Sequence, residues 1–237
     1  MTLDPLVIIP GFMQDARAFM PQIVHLGMDR QVTVILPTQG ETVEQMSLAA
    51  IRDLPRRFAL LGHGLGGDVA ADVLRRLPEA VTRIALISTD PLSEPPATAA
   101  AREARLVATR AGRLAEAIAG DYPDTSLADT DWRPDVLALM QDMAAGLGAQ
   151  VYLHQTRAMQ RRPDQQKTLR KVRVPALILA GQADSLVPVR RQEFLSGLMP
   201  FGRLSVIENA GHLPQLEQPE AVTEALRAFL AGPMMLR

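Results

Sequence analysis

The run Phe58-Ala-Leu-Leu-Gly62-His63-Gly64-Leu65-Gly66-Gly67 constrains the fold of this chain more than any other stretch. A short apolar segment leads straight into four glycines within six positions, and D-V-A-A-D-V-L-R-R-L follows at once. That reads as a strand, a turn too tight for side chains, and a helix with Val69, Val73, Leu74 and Leu77 along one stripe. A strand joined to a helix without a spacer belongs to a sheet wound with helices.

The rest of the chain repeats the pattern. Near-continuous apolar runs at 6–9, 32–36, 58–61, 83–88, 176–180 and 204–207 suit strands buried on both faces, as in a parallel sheet. Helical patterns lie between them at 18–26, 47–52, 67–77, 188–198 and 221–230. The expectation is an α/β fold with a doubly wound, mainly parallel sheet and right-handed crossovers. Residues 91–173 break the alternation. They hold alanine-rich amphipathic helices with breaks near 120–123, 129–134 and 162–163, and no convincing strand. A segment of this length is too long for a plain connection, so it is expected to form an inserted helical lid over the carboxyl ends of the strands. The core is then 1–90 together with 174–237, and the helical cap 91–173. A chain of 237 residues suffices for one sizeable core.

Three further motifs accompany the glycine turn. Ile8-Ile9-Pro10-Gly11-Phe12 is a strand followed by a tight turn. Leu177-Ile-Leu-Ala-Gly181-Gln-Ala-Asp184 ends a strand with a glycine and brings an aspartate in just before a helix. Taken alone, Asp184 reads more readily as a turn or cap residue. Asn209-Ala-Gly211-His212-Leu-Pro-Gln-Leu-Glu217 shifts that balance, because it offers the histidine such an aspartate would orient.

With these four motifs the chain resembles the α/β-hydrolase fold family, in particular small capped esterase-like members whose turn reads G-H-S-x-G-G. Here the same turn reads G-H-G-L-G-G, and the usual N-terminal hairpin does not precede the first strand. The resemblance implies a catalytic set of a nucleophile position, Gly64, followed along the chain by Asp184 and His212. It also implies an oxyanion hole made of the backbone N–H groups of Phe12 and Leu65, which do not depend on side-chain identity. The loop before Phe12 reads Pro-Gly where the family usually has His-Gly.

Other residues rank lower. His63, Trp132, Met140 and Met143 are candidates for the pocket wall, with Tyr122, Tyr152 and Met159 beside them, although apolar residues at helical spacing serve a core more often. Ser88 and Thr89 read as polar groups closing a strand end. Glu217 reads as a helix-capping residue.

Composition removes several alternatives. The absence of cysteine excludes disulfides, a thiol nucleophile and thiolate metal sites, and His25, His63, His154 and His212 have no metal-ligand spacing, so no cofactor is expected. A net charge of −1 offers no field for nucleic acid or a membrane surface. No apolar stretch approaches the roughly 20 residues of a membrane span. The opening M-T-L-D-P-L-V-I-I-P has no basic region of a signal peptide, which makes a cytoplasmic location the default. The expected partner is a small ester-like molecule, and the sequence is silent on oligomeric state.

Acyl transfer needs a side-chain nucleophile, and Gly64 offers none. Three readings follow. A serine was replaced deliberately, leaving an inactive hydrolase of a small carboxylic ester, thioester or lactone; or the glycine is natural and His212, oriented by Asp184, acts as a general base on water; or the chain binds a small ligand without turning it over. A lyase or cofactor-free oxygenase using the His–Asp pair is a further alternative within the same fold.

Overall fold

The computed structural model describes residues 3–232 and shows six strands in one all-parallel sheet of order β2-β1-β3-β4-β5-β6. In chain order the elements are β1 (Leu6–Ile9), α1 (Met20–Gly27), β2 (Val32–Val34), α2 (Val43–Ala50), β3 (Phe58–His63), α3 (Leu65–Arg76) and β4 (Val81–Ile87). Four helices follow without a strand between them: α4 (Pro96–Arg110), α5 (Leu114–Asp121), α6 (Arg133–Gln160) and α7 (Gln166–Leu169). The sheet resumes with β5 (Ala176–Gly181), α8 (Val189–Leu198) and β6 (Gly202–Ile207), and the chain closes with α9 (Pro214–Glu217) and α10 (Pro219–Ala231).

Every residue of β1, β3, β4 and β5 is buried, which is why these runs carry no alternation of polar and apolar residues. The chain moves outward from β1 to β2 and then returns across β1 to β3, so right-handed crossovers place α1 and α2 on opposite faces. Accordingly α1 packs with α10, and α2 with α3. The reversal makes a topological switch between β1 and β3, where open α/β sheets bind ligands beyond the strand ends. The Phe12 and Gly64 turns leave the sheet there.

Element boundaries moved for local reasons. The run at 83–88 begins at Val81 and stops at Ile87, because Ser88 takes a left-handed φ of +45°. The helix read at 47–52 starts four residues earlier, where Thr42 accepts a hydrogen bond from Gln45 N–H as its N-cap. Among the described residues α6 is long and apolar enough to cross a membrane, contrary to the sequence expectation. Gly148, with φ +83° and ψ 169°, breaks it into two helices. Met140, Met143, Tyr152 and Ala158 on it are completely buried, and it packs against α4 and α5.

Candidate active site

Gly64 sits between the end of β3 and the start of α3, with φ +48° and ψ −118°. Non-glycine residues avoid this combination, since even the left-handed well has ψ near about +30 to +60°. The glycines on either side are required for a different reason. A Cβ on Gly66 would collide with the Ile9 carbonyl, and one on Gly62 would lie 2.5 Å from the Gly66 carbonyl oxygen. Gly64 has no such constraint. A Cβ there would find its nearest neighbours, His212 Nε2 and the Ser88 carbonyl oxygen, at 4.0 Å. The space above Gly64 is therefore open and faces the histidine.

His212 lies in the loop after β6, and Asp184 in the loop after β5. His212 Nδ1 stands 3.1 and 3.0 Å from the two Asp184 carboxylate oxygens, and both residues are buried. A carboxylate only accepts, so Nδ1 carries the proton and Nε2 keeps its lone pair toward Gly64. Asp184 Oδ1 also accepts from the N–H groups of Leu186 and Val187, both at 2.9 Å, so it serves the turn as well as the histidine. Burial raises its pKa. The charge and hydrogen bond of His212, the Val187 N–H and the nearby Ser88 hydroxyl outweigh that and hold it below the ordinary carboxylate value. The Ser88 hydroxyl acts at short range without a hydrogen bond of normal geometry, since its buried oxygen has no partner of that kind. The neighbouring Thr89 hydroxyl donates to the Ile87 carbonyl and closes the strand end.

His63 is completely buried. Its Nε2 is 2.8 Å from the His212 carbonyl, which can only accept, so Nδ1 takes a hydrogen bond from Gln14 Nε2 at 3.2 Å. Gln14 Oε1 in turn accepts from Gly11 N–H. Burial, with the charge of His212 next, pushes the His63 pKa down to about 3. It remains neutral at ordinary pH and ties the histidine loop to the turn after β1.

A cavity of about 340 Å³ brings most of the candidates together. Phe12, His63, Gly64, Leu65, Ser88 and His212 form one wall. The inserted helices and their loops supply Arg102, Arg105, Tyr122, Met159 and Arg162 opposite. Among the described residues, the N–H groups of Phe12 and Leu65 have no hydrogen-bond acceptor in the protein. The arginines are matched by acids: Arg102 meets Glu94 at 2.8 Å and Asp121 at 3.0 Å, and Arg162 meets Asp90 at 3.3 Å. Asp68, buried beneath Arg162, is pushed up to about 7 chiefly by burial. Among the described residues no group of three or more His, Asp or Glu is arranged to hold a metal ion.

Three expected wall residues are elsewhere. Trp132 precedes α6 and is 45% exposed, while Met140 and Met143 are completely buried in the packing of α6 and do not line the cavity. The 3.6-residue pattern identified an apolar face, but which face meets the cavity depends on how the insert packs. Tyr122 and Met159 do reach it.

Glu217 does more than cap a helix. One carboxylate oxygen accepts from Ala128 N–H and Gly211 N–H, and the other from Leu213 N–H, at 2.7 to 2.9 Å. It clasps the loop that carries His212 from both sides. His212 N–H donates to the Ser126 carbonyl at 2.7 Å, a second link to the insert. A carboxylate five residues past the histidine, within the apolar run L-P-Q-L-E, was the available sequence signal.

The chain is similar to known proteins over most of its length. A profile of the alpha/beta hydrolase family matches residues 6–225. A pimeloyl-[acyl-carrier protein] methyl ester esterase of Aromatoleum aromaticum is 31% identical over 213 residues, covering 83% of each chain. A biotin biosynthesis bifunctional protein of Teredinibacter turnerae is 29% identical over 95% of this chain, which spans only 44% of that protein. A thermophilic esterase structure from Thermogutta terrifontis superposes with a TM-score of 0.84 at 25% identity, covering 97% of this chain and 90% of its own. An enol-lactonase from Burkholderia xenovorans superposes at 0.85 with 20% identity, covering 98% and 93%, and shares the fold.

Proposed function

The chain belongs to the alpha/beta hydrolase family, and from that premise we propose that it hydrolyses a small carboxylic ester, thioester or lactone with water in place of a side-chain nucleophile. The observation that carries the reading is the open space above Gly64, bounded at 4.0 Å by the His212 nitrogen that Asp184 leaves free. A water held there gives its proton to His212 Nε2 as its oxygen attacks the ester carbonyl. The N–H groups of Phe12 and Leu65 receive the developing oxyanion. His212 then returns the proton to the leaving alkoxide or thiolate, and acid and alcohol or thiol depart. No covalent acyl-enzyme forms.

The esterases among its relatives support ester chemistry as the lineage, and a methyl ester of a medium-length acyl chain is the first substrate to test. The cavity of about 340 Å³ suits such a molecule, near the lower end of the roughly 300–1,000 Å³ of small-ligand sites.

Steady-state hydrolysis of methyl and p-nitrophenyl esters tests the reading. We expect slow turnover without a burst, abolished by His212→Ala. Turnover that persists in His212→Ala overturns general-base catalysis. Saturable ester binding with no product in either protein favours the ligand-binding alternative.

A further inference from the structure

The oxyanion turn is held by the inserted helices as well as by the core. The peptide unit joining Phe12 to Met13 is gripped at both ends. Its carbonyl accepts from the Tyr122 hydroxyl at 2.7 Å, and its N–H donates to Gln155 Oε1 at 2.7 Å. Tyr122 follows α5, and Gln155 lies in the second half of α6, beyond the break at Gly148. The Phe12 ring is held by the same segment. Tyr152 meets it edge-on at 5.4 Å, and the Arg102 guanidinium lies 5.8 Å from its centroid.

Met13 explains why such a grip is needed. It has φ +51°, a left-handed backbone that a residue with a Cβ adopts only when its surroundings impose it. Besides the turn's own bond from Gln14 N–H to the Gly11 carbonyl at 3.2 Å, two side-chain atoms of the insert hold this peptide, and Gln155 is anchored in turn by donating to the Pro37 carbonyl at 3.0 Å. Gln155 is completely buried and does not line the cavity, so substrate contact does not account for it.

We propose that Tyr122 and Gln155 are positioning residues that hold the Phe12–Met13 peptide in a strained conformation and thereby aim the Phe12 N–H into the cavity. The oxyanion hole is then complete only while the inserted helices are docked. Displacing the insert releases both bonds and lets Met13 relax, so turnover depends on docking as well as on substrate entry. The proposal rests on the reading of Phe12 as an oxyanion donor, but its test is independent of turnover.

The test is amide hydrogen exchange at residues 11–14, followed by NMR in the chain as it stands and in Gln155→Met, Tyr122→Phe and Gln160→Met. Gln160 bonds the Ala99 carbonyl and Glu103 within the insert, which makes it a control for general loosening of α6. Exchange of the Met13 amide is expected to rise about tenfold or more in Gln155→Met, and its proton resonance to move in Tyr122→Phe, with neither change in Gln160→Met. In a Gly64→Ser background, Gln155→Met should lower kcat by about ten- to a hundredfold with KM within about twofold. Unchanged Met13 exchange in Gln155→Met overturns the proposal, as does an equal rise in Gln160→Met. Should Gln155→Met fail to fold, an unmoved Met13 resonance in Tyr122→Phe overturns it alone. Absence of hydrolysis in Gly64→Ser counts against the proposed function, while the exchange data still decide the positioning role.

Discussion

Gly64→Ser is the perturbation whose outcome the geometry fixes most closely. The new Cβ meets no atom nearer than 4.0 Å, so there is no collision to relieve. One bond further out, the hydroxyl oxygen comes within hydrogen-bond reach of His212 Nε2, about 2.6–3.2 Å. The backbone opposes the change. A side chain at φ +48°, ψ −118° carries strain of about 1–3 kcal/mol. For a chain of this size each kcal/mol lowers Tm by about 2–4 °C, and Gly64→Ala, with the same strain and no oxygen, should lose as much. Against that stability loss, the serine variant gains a nucleophile beside an oriented base, and hydrolysis of p-nitrophenyl acetate should rise by on the order of 10³-fold or more. Stopped-flow absorbance should show a burst equal to the enzyme concentration, and intact mass spectrometry an acetyl adduct absent from Gly64→Ala. A folded serine variant with neither burst nor adduct would refute the reasoning, because it would mean that His212 and the turn no longer share a reactive geometry.

Asp184→Asn in the Gly64→Ser background removes the acceptor that fixes the His212 tautomer, and kcat should fall by up to about 10⁴-fold in steady-state assays, with the fold retained by circular dichroism. His63 carries its own signature in stability. Its folded pKa of about 3 lies below the ordinary 6.5, so the unfolded state binds a proton that the native state does not. Stability is complete above pH 6.5 and falls as pH drops toward 3. At pH 5 the loss is about 2 kcal/mol by linkage, and urea titrations should find it reduced in His63→Phe relative to that variant's own value at pH 8. Asp184 acts in the same direction at lower pH: its depressed pKa gives stability that is present above 3.8 and lost as pH falls below it. Glu217→Ala leaves three backbone N–H groups without their acceptor and should lower stability by about 3 kcal/mol in urea titrations, with the resonances of residues 211–213 shifting most.

The parts of the fold and site that lie in short stretches were legible before any coordinates. Apolar runs without alternation gave the six parallel strands, of which β1, β3, β4 and β5 are buried as expected while the edge strands β2 and β6 are only partly so. The glycines at 62, 64, 66 and 67 gave a strand-turn-helix unit, because close backbone packing leaves a local mark. The encounter of Asp184 with His212 was inferred from two separated motifs and their family resemblance, and the structure brings the two side chains together. What failed depended on packing over distance. Trp132, Met140 and Met143 were candidates for the wall because they lie in the insert; Met140 and Met143 instead follow the core reading that their helical spacing favoured, as the contacts of α6 with α4 and α5 show. Gln14 and Gln155 carried no signal in the sequence, and Glu217 read only as a helix cap. Gln14 meets the His63 ring 49 residues on, and Gln155 meets the Met13 N–H across 142 residues, and no local pattern records such pairings.

Those distant pairings also change what the glycine at 64 means. Two backbone positions beside the cavity are strained in a way that side chains resist: Met13, held by two hydrogen bonds, and Ser88, a buried serine at φ +45°. Gly64 occupies a third unusual conformation, and there the absence of a Cβ removes the strain along with the nucleophile. Backbone strain therefore sits at Met13 and Ser88, and Gly64, where a nucleophile would stand, is relieved of it. Relaxing either would gain on the order of 1 kcal/mol or more, and at Met13 the hydrogen bonds with Tyr122 and Gln155 oppose that. The persistence of both strained positions beside a relaxed Gly64 supports the proposed reading of a site that serves an anionic intermediate, with water as the reagent that the open space above the glycine would admit.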